Sequence, residues 1–437
     1  MNQTDIVTKV LETVKHKGAD AAEISYAEGR GISVSCRQGE VDTIENNNDK
    51  SLSLTVYKNG AKGTASTAVV NDDSIALTID KALAIAALTA PDEAAGLAEK
   101  DLLATDFKDL QTAYDNPFDP ETLIEYALAA TEGARAEAAN QQADVVVDEA
   151  NVEIGDGYAI YANSTGFIGE KRGSNCSASV VAIAKQNGEM EREYWWDAVR
   201  DFQQLMDAKT MGAKATDRSI AQLGSRQVKS QQVPVLFDPA MSKSLIGHML
   251  SAIQGSALYQ EASFLKDDLN KQLFPDWFNI SEDPFIPGGF GSRNFDSNGI
   301  ATKSRTLINQ GVLTGFMLSL YSARRLNTQP TGHGGGAHNL TVNVPTSADL
   351  VKQMERGFLV TSLMGQGVNT VTGDYSRGAS GFWVEDGAIA FPISEMTIAG
   401  HLKDMFRNIR AVGADVDRRS KIHTGAWLVD GMTIAGD

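Results

Sequence analysis

Two hydrophobic periods alternate along this chain. Between residues 4 and 17, Ile6, Val7, Val10, Leu11 and Val14 recur at helical spacing, with Thr4 as the expected cap and Gly18 as the stop. The period then changes to two. Ile32, Val34 and Cys36 alternate with polar neighbours, as do Leu52, Leu54 and Val56, which predicts half-buried strands. Asp73-Ser74 opens a second predicted helix through Ile75, Leu77, Ala82, Leu83 and Ile85. Asp119-Pro120 opens a third over 119–139, with proline at its first position. Residues 144–197 read as a run of strands, with turns expected at Gly155-Asp156-Gly157, Asn163-Ser164 and Asn187-Gly188, and 206–222 is helical again.

The polar segment 223–234 ends in proline and divides the chain into an N-terminal part, 1–223, and a C-terminal part, 224–437. A strand at Val233–Phe237 and a helix over 239–254, opened by Asp238-Pro239, follow it. Hairpin turns are signalled at Asn59-Gly60, Asn187-Gly188, Gln310-Gly311 and Asp386-Gly387, where residues tolerant of positive φ sit between strand patterns. Hairpins build antiparallel sheet, and no regular strand–helix alternation is present, so the fold class is α+β rather than doubly wound α/β.

The 437 residues suffice for two domains, and a hydrophobic share of 42% is ordinary for a globular protein. A formal charge of −17 argues against a non-specific nucleic-acid binder, which needs a basic surface. The amphipathic N-terminus lacks the apolar core of a secretory signal, and no run of about 18 apolar residues predicts a membrane span. Two distant cysteines, Cys36 and Cys176, make a disulfide framework a poor fit, so the expected compartment is the reducing cytoplasm.

Candidate chemistry concentrates in three places. The stretch TGHGGGAHN, 331–339, holds two of the six histidines, His333 and His338, around Gly334, Gly335 and Gly336, and ends on Asn339. Histidines five apart across three glycines are not a helical metal pair, and the nearest acid along the chain is Asp349. The stretch reads as a structural or substrate-lining loop, with anion or peptide-backbone binding and a metal site as alternatives. The helix 239–254 carries His248 at the edge of an apolar stripe of Leu245, Ile246, Met249 and Ile253, where a histidine is usually a packing residue. Residues 364–382, with five glycines, read as a long loop between strands, charged at Asp374 and Arg377. No G-x-S-x-G nucleophile elbow occurs. His401 and His423 lie in a locally basic tail that reads as a solvated helix and loop.

Four stretches carry a resemblance to a known family. ADAAEISYAEGRGISVSCRQGEVDTIE, RTLINQGVLTGFMLSLYSARR, PTGHGGGAHN and GQGVNTVTGDYSRGASGFWVEDGAIAFPISEMTIAG look like the PmbA/TldE branch of the TldD/PmbA family, once described as modulators of DNA gyrase. The resemblance implies an α+β fold of two intertwined halves and a cytoplasmic metallopeptidase complex of two related subunits that processes or degrades unfolded peptides. The TldD-like subunit would hold zinc through an HExxxH helix and a C-terminal cysteine.

This chain departs from that pattern. Aligned on Ala262-Ser263-Phe264, the motif falls on Leu245 to Leu250; aligned on the Gly-His pair, it falls on Lys243 to His248. Either way the first histidine and the glutamate are missing, and 411–437 contains no cysteine. The expectation is a subunit with no cofactor of its own, paired with a zinc-bearing TldD-like catalytic subunit, acting on unfolded peptide and touching neither nucleic acid nor membrane. A homodimer when purified alone is also open. His333, Gly334, Gly335, Gly336, His338, Asn339, Asp374 and Arg377 would shape the peptide cleft or face the partner, and Leu245, Ile246, His248 and Leu250 would mark the degenerate zinc helix. The competing expectations are an autonomous metal-dependent hydrolase built on His333, His338 and a distant carboxylate such as Asp374, and a non-enzymatic binding protein that regulates gyrase or binds RNA.

Overall fold

The structure, a computed structural model, describes residues 2–436. The N-terminal part contains α1 (Gln3–His16), β1 (Ala21–Arg37), β2 (Glu40–Lys58), β3 (Ala61–Thr67), α2 (Asp72–Leu88), α3 (Pro120–Asn140), β4 (Asp144–Asn163), β5 (Ile168–Gln186), β6 (Glu189–Val199) and α4 (Ala208–Ala221). Its six strands form one antiparallel sheet in the order β3-β2-β1-β4-β5-β6. The inner strands are long, 17 to 20 residues, and β1 pairs with β4 without a register shift. Side chains therefore alternate along the whole of β1, and Ile24, Tyr26, Ile32 and Val34 share one face. Helices α1 and α2 cover one end of that face and α3 and α4 the other.

The turn expected at Gly155-Asp156-Gly157 does not occur. These residues run through the middle of β4, where Gly155 and Gly157 lie opposite Gly31 and Gly29 of β1. The glycine cluster is a cross-strand match within the sheet. Helix α1 is capped by Asn2 rather than Thr4: Asn2 Oδ1 accepts from the Asp5 N–H at 2.8 Å, and Asp5 returns a bond to Asn2. Asn71 likewise caps α2, two residues before the expected Asp73. The four hairpin turns form where expected, with Asn59, Asn187, Gln310 and Asp386 all at positive φ.

The C-terminal part contains β7 (Gln231–Phe237), α5 (Pro239–Ala252), α6 (Gly255–Tyr259), β8 (Ile280–Asp283), β9 (Arg305–Asn309), β10 (Val312–Leu313), α7 (Leu320–Arg325), β11 (Asn339–Val342), β12 (Thr346–Ser347), α8 (Leu350–Met354), β13 (Gly357–Met364), β14 (Asp374–Glu385), β15 (Ala388–His401), α9 (Leu402–Arg407), β16 (Ile409–Gly413), β17 (Ile422–His423) and β18 (Trp427–Ala435). Strands β7, β13, β14, β15 and β18 close on themselves, because β18 pairs with β7 as well as with β15. Val235, Phe358, Trp383, Ile398 and Trp427 belong to the core shared by this ring and α5. A second sheet, β10-β9-β8-β11-β17, packs on the same core. The architecture is α+β and largely antiparallel.

The two parts are joined by more than the linker. The segment after α2 runs across the C-terminal part: Ala104 N–H donates to the Gly299 carbonyl at 3.0 Å, and Gly288 N–H donates to the Leu110 carbonyl at 2.8 Å. Leu103, Tyr161 and Phe167 share a core with Phe295, Ile300 and Leu320. No helix among the described residues is long and apolar enough to cross a membrane.

Candidate functional site

The 331–339 loop folds against β8 and β11. In β8 the alternation of Ile280 and Glu282 turns both inward, so Glu282 is a fully buried carboxylate opposite Leu340 of β11. Three groups meet it. His333 Nε2 lies 3.0 Å from Oε2, Arg305 Nε donates to the same oxygen at 2.6 Å, and the His338 backbone N–H donates to Oε1 at 2.8 Å. Behind His333, the Leu318 N–H donates to Thr331 Oγ1, which lies 2.9 Å from His333 Nδ1. His338 Nε2 faces the Gly332 carbonyl at 3.1 Å, and its Nδ1 has no partner. Burial alone would push the Glu282 carboxyl up. The His333 bond, the Arg305 charge and the His338 N–H outweigh it and hold the group well below the usual carboxylate range. Burial holds the His338 imidazole down to about 3.

Glycine is required within this loop. The Gly334 N–H donates to buried Asp296 at 2.8 Å, and a Cβ on Gly334 would fall 2.9 Å from that carboxylate oxygen and 2.6 Å from Ser297 Oγ. Gly336 has φ +94°, in the left-handed region. Asn339 accepts from the Gly291 N–H and donates to the Asp283 carbonyl and Ser292 Oγ.

Side-chain ligand atoms of Glu282, His333 and His338 lie within 4.8 Å of one another, close enough to share an ion. The donor set nevertheless fits a metal poorly. Both Glu282 oxygens and both His333 nitrogens already face partners, and only His338 Nδ1 is uncommitted. The Arg305 guanidinium already neutralises the carboxylate, and its positive charge beside the cluster opposes a cation there. Asp374 is not the distant carboxylate of this cluster. It is exposed at the start of β14, where it accepts from Thr372 Oγ1 at 2.6 Å; Glu282 takes the place expected for it.

The structure differs from two further expectations, over 364–382 and over 401–423. His333, His338 and Asn339 are buried side chains that brace the loop from within, and Gly335 is its exposed residue. The 364–382 segment is a loop only over 365–373; Asp374 and Arg377 stand in β14, because Tyr375 and Ala379 alternate inward. Along α5, Leu245, Ile246 and Leu250 are 1%, 0% and 7% exposed and pack into the core, which leaves Lys243, Ser244, Gly247 and His248 on the half-open face. His401 ends β15 and caps α9, with Nε2 2.9 Å from the Thr372 carbonyl, and His423 sits half-buried in β17.

Around the start of α5 lies a second charged cluster. Lys243 Nζ is 2.9 Å from Asp417 Oδ1, an ion pair outside hydrogen-bond angles, and Arg419 grips both Asp417 oxygens at 3.0 Å. Arg419 also donates to the Trp196 carbonyl at 2.7 Å and lies 4.6 Å from the Trp195 ring centre, which ties α5 to the N-terminal part. Burial pushes the nearby Asp238 carboxyl up to about 6. A cleft of about 480 Å³ opens between the two helix pairs, midway along the long sheet, lined by Glu28, Arg30, Lys50, Asp156, Tyr158 and Arg172. Glu282, and the ion-pairing roles of Arg305 and Lys243, were not legible along the chain. The available signal was the acid in ISED on the apolar side of a short strand.

Comparison with known proteins places these features in a family. Family models for the PmbA/TldA metallopeptidase domain 1, central domain and C-terminal domain match residues 22–86, 114–223 and 230–436. Metalloprotease PmbA of Escherichia coli O157:H7 is 42% identical over 99% of this chain and 96% of its own. A Metalloprotease PmbA homolog of Haemophilus influenzae is 39% identical over 99% and 95%. Among solved structures, a protein named as a modulator of DNA gyrase from Bacteroides thetaiotaomicron superposes with a TM-score of 0.92 at 28% identity, over 99% of both chains. TldE from Thermococcus kodakarensis shares the fold with a TM-score of 0.86 at 21% identity, over 99% of this chain and all of its own. The chain belongs to the PmbA/TldD metallopeptidase family, on its PmbA/TldE side.

Proposed function

We propose that this chain is the subunit of a zinc-dependent peptidase complex that does not hold the metal. A TldD-like partner supplies zinc, its ligands and the general base; this chain forms part of the wall against which unfolded peptide is held. The observation that carries the reading is the outward face of α5. Of the two motif registers, the one on Leu245, Ile246 and Leu250 points into apolar core. The other puts Lys243, Ser244 and His248 where the partner would carry histidine, glutamate and histidine. In that register Lys243 brings an ammonium already paired with Asp417, and the Ser244 hydroxyl donates to the Met241 carbonyl at 2.6 Å. A bound zinc would polarise a peptide carbonyl and acidify water, which needs about three ligands and a base. This face offers one imidazole, and Ser244 cannot take a proton from water at neutral pH.

Buried, unpaired Cys36 and Cys176 accord with a reducing cytoplasm. The test is elemental analysis of the chain purified alone, followed by peptide hydrolysis with chain, partner and mixture. The expected result is far less than one zinc per chain and activity in the mixture only. Full activity of the partner alone would sink the reading. The autonomous-hydrolase reading gains one observation, the closeness of Glu282, His333 and His338. It predicts about one zinc per chain, lost on His333→Ala. A pull-down that recovered gyrase without a TldD-like subunit would favour the regulatory reading, which the name of the Bacteroides relative keeps in view.

A further inference from the structure

From the open side of α5 to the face of β14 runs a group of polar atoms with nothing to bind. Tyr375, Arg377 and Ala379 alternate onto one face of β14, since its pairing with β15 runs without a shift from residue 374 to 379. His248 of α5 lies edge-on to Tyr375, with ring centres 6.0 Å apart. The Tyr375 hydroxyl, His248 Nε2 and Arg377 Nε are all buried and find no hydrogen-bond partner. Tyr375 is 1% exposed, so its hydroxyl cannot turn to bulk water. Among the described residues, Arg377 forms no ion pair. The acid nearest along the strand, Asp374, points to the opposite face and is held by Thr372. Burial, then the Arg377 charge, holds the His248 imidazole below its ordinary value.

An unpaired guanidinium, an orphaned phenol and an imidazole beside each other make a donor set with no acceptor. Leaving such groups buried and unmet is costly, and an anion repairs all three at once. Planar Arg matches a carboxylate in two parallel bonds. We propose that Arg377, Tyr375 and His248 form a carboxylate-binding site that anchors a peptide, through its C-terminal carboxylate or an acidic side chain, beside the helix where the partner subunit would carry its metal. This deepens the peptide-holding role above and rests on it for the ligand being a peptide.

The test is calorimetric titration of the full chain with three probes: N-acetyl-trialanine as free acid, the same peptide as its amide, and an amidated peptide with a central aspartate. Binding of the free acid at least tenfold tighter than the amide assigns the C-terminal carboxylate; equivalent binding of the aspartate peptide assigns a side chain. Arg377→Gln should weaken the bound probe at least tenfold and Tyr375→Phe several-fold, each with a melting temperature close to that of the parent chain. Equal affinity for all three probes, no binding, or full affinity in Arg377→Gln overturns the proposal. Neither zinc nor partner is present in this assay. Its failure leaves the peptidase reading standing, and loss of that reading leaves carboxylate binding standing.

Discussion

His338 is the residue whose protonation the fold resists most visibly. Its ring is buried, with Nε2 on the Gly332 carbonyl and Nδ1 unmet, and its value falls from the ordinary 6.5 to about 3. Between those values the unfolded chain binds a proton that the folded chain refuses, so stability drops as pH falls, by about 1.4 kcal/mol per unit. Glu282 acts in the same direction further down. Its folded value is depressed, so its contribution is present above the unfolded value and is lost with acid. Urea unfolding measured from pH 7 to pH 4 should show a falling midpoint below about 6.5, and His338→Gln should flatten the slope by close to one proton. An unchanged slope in the variant would place the proton elsewhere. The local chain could not reveal this site, because the carboxylate that organises both histidines lies some fifty residues upstream and only the pairing of β8 with β11 brings it there.

Among the elements, α3 and α4 show how packing overrides propensity. Alanine normally favours a helix over glycine by about 1 kcal/mol. Yet a Cβ on Gly212 of α4 would sit 1.9 Å from the Ala130 carbonyl oxygen, and one on Gly133 of α3 would sit 2.2 Å from the Lys209 carbonyl oxygen. The helices touch through these two glycines. Gly212→Ala should therefore destabilise the chain, by about 1–3 kcal/mol of overpacking net of the propensity gain, read as a shift in the denaturant midpoint. A stabilised variant would mean the helices can separate freely. The helices were legible as elements from their periodicity, and the caps missed their mark by only a few residues. Closeness of approach was not legible, since a glycine in a helix reads the same whether it faces solvent or another backbone. Strand β14 shows the converse. Its glycines suggested a loop, and its pairing with β13 and β15 made it sheet.

On the scale of the whole molecule, Arg200 fastens the parts together. It follows β6 and donates to the carbonyls of Gly288 and Gly289 in the C-terminal part, and to those of Thr112 and Ser174 in the N-terminal part, at 2.9 to 3.2 Å. Arg200→Ala would strand these carbonyls at a half-buried junction, at a cost of several kcal/mol. Limited proteolysis should then cut within 89–119 or 224–230 under conditions in which the parent chain resists. Equal resistance would show that the shared core of Phe167, Phe295 and Ile300 carries the junction unaided.

The sequence by itself determined helices α1 to α5, the four hairpin turns and the α+β class, and, set beside the family it resembles, the departure of α5 from a zinc-binding pattern. Each of these rests on local information: a period, a turn-forming pair, or the absence of a ligand-forming side chain. Tertiary structure alone decided the joining of Glu282 to His333 and His338, the pairing of Lys243 with Asp417, and the setting of Arg377 beside Tyr375 and His248. These contacts depend on strand register and on which face of α5 is buried. Register is a property of two chain segments at once, so one-dimensional periodicity carries no record of it.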